Sequence, residues 1–407
     1  MPVLWPPPRP GRVHPAGPSQ IPDGTTGADP TAGCSPQGGS GGCVAGAATT
    51  MVGTGGSPSS GAGPGPGGTG PTGARDVDGG RHLRRGSAGR AHHLHPGHLH
   101  RARHPHPHPA PLIGEQENEE KDMATVGILT DTSASIPAPL VKELGIELVP
   151  YYIHRGLETL RDLIDVEPEA FARYLKTATK LPTTSNPSPG DYLAGLQRLA
   201  ERTREIVVLT MTSKGSGAYQ SCRAAVDILR ERMPKIRVEV VDTLQVAMSQ
   251  GWAAIEAARA ALTGLSLKEV MEGAVEVARQ GMMIQTADTL RYLHMGGRIG
   301  RAQHLVGSLL NIKPLIGMED GVIVALGTAR SRSKAYARMV ELMRQRVGEG
   351  ARIKVAFTHV AALEQLEQLR RRVLAHFDCA EVLISPLSPV LAVHSGPGTV
   401  GLSFFAV

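Results

Sequence analysis

From residue 125 onward, short apolar runs alternate with longer stretches of helical periodicity. Thr125-Val126-Gly127-Ile128-Leu129-Thr130 and Glu205-Ile206-Val207-Val208-Leu209-Thr210 are apolar, β-branched runs of strand length. Such runs read as strands buried on both faces. Ile236 to Val241 repeats the pattern, and Ile146 to Ile153 makes a further strand whose Pro150 suggests an edge or an end. Between them, 136–144, 167–177, 192–202, 219–232, 245–262 and 267–280 read as helices. In the fourth of these, Tyr219, Cys222, Val226 and Leu229 recur at helical spacing. Strands alternating with helices predict a mostly parallel sheet covered on both faces.

Beyond about residue 281 the pattern changes. A short strand, 282–287, leads into a short amphipathic helix that ends at Gly296-Gly297. An apolar helix to Leu310 follows. Ile312 to Ile316, the turn Glu319-Asp320-Gly321 and the run Val322 to Leu326 then predict a hairpin. Two more strand–helix pieces close the chain, with His394 expected at a strand end before Gly396-Pro397-Gly398. The predicted fold class is α/β: a parallel-sheet domain over 123–280, packed on a second α/β domain with a mixed sheet over 281–407.

Composition changes the picture only for the first 122 residues. They are dominated by Gly, Pro, Ser, Thr and His, with Trp5 as the sole aromatic. A segment so poor in large apolar side chains cannot offset the entropy of ordering, so it is expected to be a disordered tail. Its histidines, among them His104, His106 and His108, can bind a transition metal loosely, but prolines between them offer no scaffold for a defined site. The whole chain carries a net charge of only +6. No RNA-binding motif or basic–aromatic interleaving is present, which argues against nucleic acid as partner. Cys34, Cys43, Cys222 and Cys379 have no metal-ligand spacing and suggest a reducing compartment. With no run of membrane-spanning length and no apolar signal core, a soluble cytoplasmic protein is expected.

The candidate chemistry lies in hydroxyl-rich loops. Thr212-Ser213-Lys214-Gly215-Ser216-Gly217-Ala218 joins a strand to a helix, where free backbone N–H groups and the helix dipole favour an anion. An equally good reading makes the glycines a tight turn and Ser216 a helix cap. Neither a Walker pattern nor a complete G-x-G-x-x-G is present, so a nucleotide is not the natural ligand. Asp131-Thr132-Ser133 ends the first strand, placed either for a site or for capping. Leu181-Pro182-Thr183-Thr184-Ser185-Asn186-Pro187-Ser188 is a proline-stiffened loop that presents side-chain oxygens. Arg298 follows a Gly pair and can bind an oxyanion bidentately. Arg330, Arg332, Lys334 and Arg338 form a basic run, either a solvated face or a docking surface.

Taken in order, Thr130-Asp131-Thr132-Ser133, Thr184-Ser185-Asn186-Pro187-Ser188, Ser216-Gly217-Ala218-Tyr219-Gln220-Ser221, Asp288-Thr289-Leu290-Arg291-Tyr292-Leu293, Gly296-Gly297-Arg298-Ile299, Asn311-Ile312-Lys313-Pro314 and His394-Ser395-Gly396-Pro397-Gly398 resemble the DegV family of bacterial fatty-acid-binding proteins. The resemblance runs from Val126 to the C-terminus, and the tail has no counterpart in it. It implies a protein that buries one long-chain fatty acid as ligand, without a cofactor or metal, and serves as the acyl-carrying subunit of a fatty acid kinase. A separate ATP-dependent kinase would form the acyl phosphate, and transient contact with a membrane or acyltransferase would follow. By motif position, Thr184, Ser185, Ser216, Gly217, Ala218 and His394 would hold the carboxylate. Arg298 would serve phosphate handling or kinase contact, and Arg330 and Arg332 would lie on the docking surface. Asn186, Ala218, Cys222 and Ser395 depart from the family's usual residues. A reading of a different class is an acyl or phosphoryl hydrolase using Ser216 with His394 and Asp131, although no Gly-x-Ser-x-Gly elbow supports it.

Overall fold

The buried strands expected at 125–130 and 205–210 form and lie side by side in a computed structural model that describes residues 126–308 and 312–407. The tail expected over 1–122 lies outside those residues. In chain order, β1 (Gly127–Asp131) leads through a 3-10 turn into α1 (Ala138–Glu143) and β2 (Glu147–Val149). β3 (Tyr152–Arg155) and β4 (Glu158–Arg161) precede α2 (Pro168–Thr177), β5 (Thr183–Ser185) and α3 (Pro189–Ala200). Then come β6 (Glu205–Thr210), α4 (Ala218–Arg232), β7 (Arg237–Asp242), α5 (Met248–Leu262) and α6 (Leu267–Gln280). The remainder runs β8 (Met282–Thr286), α7 (Arg291–Met295), a 3-10 segment (Gly300–Ser308), β9 (Lys313–Glu319) and β10 (Val322–Ala329). It ends with α8 (Arg332–Val347), β11 (Arg352–His359), α9 (Leu363–Leu374), β12 (Asp378–Pro386), α10 (Pro389–Ser395) and β13 (Val400–Ala406).

Three sheets result. The first, in order β2-β1-β6-β7, is entirely parallel, as the strand–helix alternation predicts. The second, β10-β9-β8-β13-β11-β12, is mixed: β11 and β12 are parallel and the other neighbours antiparallel. The α/β class with a parallel and a mixed sheet is therefore as expected. A small antiparallel sheet, β4-β3-β5, was not legible, because its strands are short and polar.

Helix α5 joins the two large sheets. It is alanine-rich and buried along almost its whole length. Its Trp252 packs edge-on against Phe405 of β13 and donates from Nε1 to the Ser403 carbonyl at 3.1 Å. Glu256, on the same helix, accepts from Lys354 of β11 at 2.8 Å and from Arg259 at 2.7 Å.

Three expectations change. The run 146–153 is not one strand, because Pro150 has no N–H to continue the ladder. The chain breaks there, the Tyr151 N–H donates to Thr132 Oγ1 at 3.1 Å, and β3 departs into the small sheet. His394 is not at a strand end but on α10. Pro389 starts that helix with its preset φ, and Gly396, at φ 79°, ends it. Val390-Leu391-Ala392-Val393 is too short an apolar run to separate helix from strand by period. The helix expected to reach Leu310 is a 3-10 segment through Ser308, and Leu310 lies outside the described residues.

Candidate functional site

The site forms at the carboxyl edge of the parallel sheet, where ligands of such folds gather. β1 and β6 end side by side at Asp131 and Thr210, and the hydroxyl-rich loop 211–217 leaves β6 there. β5 is hydrogen-bonded to β3 with Ile153 opposite Thr184, which turns the stiff loop into a rigid strand. α10 brings His394 from the far end of the chain. Together with parts of β8, β9 and β10, these segments enclose a cavity of about 360 Å³, inside the ~300–1,000 Å³ range of small-molecule sites.

Thr184, Ser185, Ser216, Gly217, Arg298 and His394 all line this cavity. Ala218, Arg330 and Arg332 do not. The Ala218 side chain is buried in the core, and only its N–H reaches the site, donating to Ser216 Oγ at 3.2 Å. Arg332 is half-buried and pairs with Asp288 at 2.6 Å while donating to the Gly398 carbonyl. Arg330 is exposed. The rest of the wall is largely apolar, including Met211, Met283, Leu293, Ile316, Met318 and Leu391.

Two hydroxyl pairs define the polar part. Thr184 Oγ1 lies 2.9 Å from His394 Nε2, and Ser216 Oγ lies 2.7 Å from the Tyr151 hydroxyl. His394 Nδ1 is buried without a partner. A buried N–H left unpaired costs more than an idle lone pair, which favours the tautomer protonated on Nε2. Thr184 then accepts from the imidazole and keeps its own proton for a ligand. Burial, with Arg298 nearby, pushes the His394 pKa down to about 4, so the ring is neutral near pH 7. Ser216 accepts the Ala218 N–H, so whichever hydroxyl donates between Ser216 and Tyr151, one O–H remains for a ligand. Burial raises the Tyr151 pKa well above its usual range, with Asp131 adding to it, and the hydroxyl stays protonated. Ser216 is not the helix N-cap, which is Gly217, but its hydroxyl accepts the Ala218 N–H in the first turn and faces the cavity. Tyr151 was missed in the sequence; it carried no signal beyond its place after Pro150.

Asp131 stands behind the site and holds it together. Fully buried, it accepts from the Met211 and Ser133 N–H groups, each at 3.1 Å, and from Gln250 Nε2 at 3.2 Å, and it pairs closely with the Ser133 hydroxyl. Burial raises its pKa. Of Asp131-Thr132-Ser133 only Ser133 reaches the cavity wall.

The glycines set how closely the parts approach. A Cβ on Gly296 would sit 2.3 Å from His394 Nδ1, and one on Gly396 would sit 2.2 Å from the Tyr292 ring. Arg298 donates to the Gly296 carbonyl at 2.7 Å and makes no ion pair among the described residues. The pairing required of a hydrolase is not formed: Ser216 bonds Tyr151, and His394 bonds Thr184. Among the described residues no group of His, Cys, Asp and Glu is arranged for a metal, and no helix is long and apolar enough to cross a membrane.

Comparison with known proteins identifies the family. The sequence model of a family described as uncharacterised proteins of the DegV family matches residues 125–407. A DegV domain-containing protein of Halalkalibacterium halodurans is 33% identical over 284 residues, which is 70% of this chain and 99% of that protein. The solved structure of a fatty-acid-binding DegV family protein from Thermus thermophilus is 29% identical, with a TM-score of 0.66 over 70% of this chain and all of that one. The structure of DegV, a fatty acid binding protein from Bacillus subtilis, is 26% identical, with a TM-score of 0.63 over the same shares. This chain belongs to the DegV family.

Proposed function

We propose that the protein is a non-enzymatic carrier that binds one long-chain fatty acid and presents its carboxylate to a separate kinase. The observation that carries this reading is the composition of the cavity wall. It is mostly apolar, it has one cluster of hydroxyl donors beside a neutral imidazole, and it contains no aspartate or glutamate. An anion with a long apolar tail fits such a wall. The fatty-acid binding of solved relatives supports the same assignment.

Burying about 14 methylenes contributes roughly 11 kcal/mol gross at about 0.8 kcal/mol each. Each hydrogen bond to a charged carboxylate adds about 1.5–3 kcal/mol. The apolar wall thus governs affinity, while Thr184, Ser185, Ser216, Gly217 and His394 orient the head. In the presented state a carboxylate oxygen bonds to the γ-phosphorus of ATP as the bond to ADP breaks, giving an acyl phosphate. Arg298 steadies the phosphate or the kinase, and Arg330 belongs to the docking surface. Arg332 contributes there only through the loop it braces. Residues 123–280 supply the carboxylate-binding loops, 281–407 close over the lipid, and the cytoplasm is the site of action. Native mass spectrometry of the purified chain, with organic extraction, tests this. A stoichiometric fatty acid is the expected result; a clean apo mass unchanged by oleate or palmitate would overturn it.

A further inference from the structure

A second cavity, of about 440 Å³, adjoins the first. Thr184, Arg298 and His394 belong to the walls of both. In the reading above Thr184 and His394 orient the carboxylate and Arg298 steadies the phosphate, so the head group sits where the two spaces share a wall. In that reading the first space accepts the chain, and the second adjoins it at Thr184, Arg298 and His394. Lys180 from the loop before β5, Thr183 of β5 and Tyr292 of α7 are among its lining residues.

The chemistry of that wall is one-sided. Lys180 and Arg298 line it, threonine hydroxyls stand beside them, and no aspartate or glutamate does. Lys180 is exposed, and neither cation has a carboxylate partner among the described residues. Lys313 and Arg332, which do not line this cavity, are by contrast both paired with Asp288. Two unpaired cations and several hydroxyls around a recess suit a phosphate monoester, which carries more charge and more acceptor oxygens than a carboxylate.

We propose that the second cavity is a phosphate subsite that holds the phosphoryl group of the acyl phosphate, with Lys180 as its principal new contact. The proposal rests on the fatty-acid reading. The acyl chain stays in the first cavity while the head group, once phosphorylated, extends past Thr184 and His394 toward Lys180. The subsite retains the labile product in a recess instead of leaving its phosphate in open water.

The test compares two ligands on the full chain: oleate, and oleoyl phosphonate, in which a P–C bond replaces the labile acyl–O–P anhydride linkage. Lys180→Met is expected to weaken the phosphonate roughly tenfold more than oleate, as loss of one charged hydrogen bond would. Lys180→Arg should recover most of that loss. Equal changes for both ligands, or none, would overturn the subsite. Failure of the unaltered protein to bind oleate is a separate result, and it would overturn the fatty-acid reading together with the subsite. Inorganic phosphate is the third probe. If it binds the oleate-loaded protein at micromolar concentration and Lys180→Met abolishes this, the cavity is a free-phosphate site and the acyl-phosphate assignment fails.

Discussion

The Thr184 hydroxyl and His394 Nε2 stand 2.9 Å apart although 210 residues separate them in the chain. Thr184 lies on an edge strand of the smallest sheet, and His394 on a helix of only seven residues. Because the pair is neutral near pH 7, it can offer the threonine proton to a carboxylate and leaves the wall's positive charge to Arg298 and Lys214.

That arrangement separates positioning from affinity. Thr184→Val and Ser216→Ala each remove one donor, a loss of about 1.5–3 kcal/mol against a gross apolar term near 11. Kinase-dependent acyl-phosphate formation should fall more steeply than oleate affinity in both variants. Parallel loss of turnover and affinity, measured by titration beside the coupled assay, would count against the orienting role.

Gly296 is expected to tolerate no side chain. The Cβ of Gly296→Ala would lie 2.3 Å from His394 Nδ1 and 2.9 Å from its Cε1. The imidazole must move, and overpacking of this kind costs about 1–3 kcal/mol. Thermal unfolding and oleate titration should both register the change; an unaltered oleate affinity would show that His394 does not need its present position.

The titration of His394 has a definite sign. Its folded pKa of about 4 lies below the ordinary 6.5, so the unfolded chain takes up the proton first as pH falls. The stability that comes from burying the neutral ring is intact above 6.5 and is lost as pH falls toward 4. NMR titration of the imidazole should place its midpoint near 4, and His394→Gln should flatten the stability profile across that window. A midpoint near 6.5 would contradict the burial argument.

Asp162 offers the opposite sign. Fully buried, it accepts from the Val390 N–H at the start of α10 at 3.1 Å, while its other carboxylate oxygen has no partner. Burial pushes its pKa from 3.8 up to about 7. The folded state therefore holds the proton longer, and this contribution to stability, full below 3.8, is lost as pH rises through about 7. Asp162→Asn keeps an acceptor for Val390 without the charge and should stabilise the protein most above pH 7, by on the order of 4 kcal/mol. Denaturant melts at pH 4, 6 and 8 would show this as a gain that grows from about pH 4 and levels off above about 7.

Charge reversal at the exposed Arg330 should weaken association with the kinase, more so at low ionic strength, where surface charges act over a longer range. Arg332→Glu should instead destabilise the loop at Gly398, since its guanidinium also donates to that carbonyl. Binding measured at two salt concentrations, beside thermal melts, distinguishes the two arginines.

Much of this protein was legible without a structure, and the reason is local. β1 and β6 are buried on both faces and so read as unbroken apolar runs, while α6 carries its own capping box at Ser266 and Glu269. The loops bearing Thr184, Ser216 and Arg298 stood out as candidates by residue type, although turn and cap chemistry accounts for the same hydroxyls, prolines and glycines equally well. What the chain could not announce was which loops meet. Tyr151 reaches Ser216 only because Pro150 breaks the strand before it, and His394 reaches Thr184 only because α10 packs beside β5. The parallel sheet, its order of elements and the candidate loops follow from short-range patterning, which sequence records directly. The hydroxyl pairs, the neutral imidazole and the two adjoining cavities depend on contacts between residues far apart in the chain, and those arise only when the sheets close on a common core.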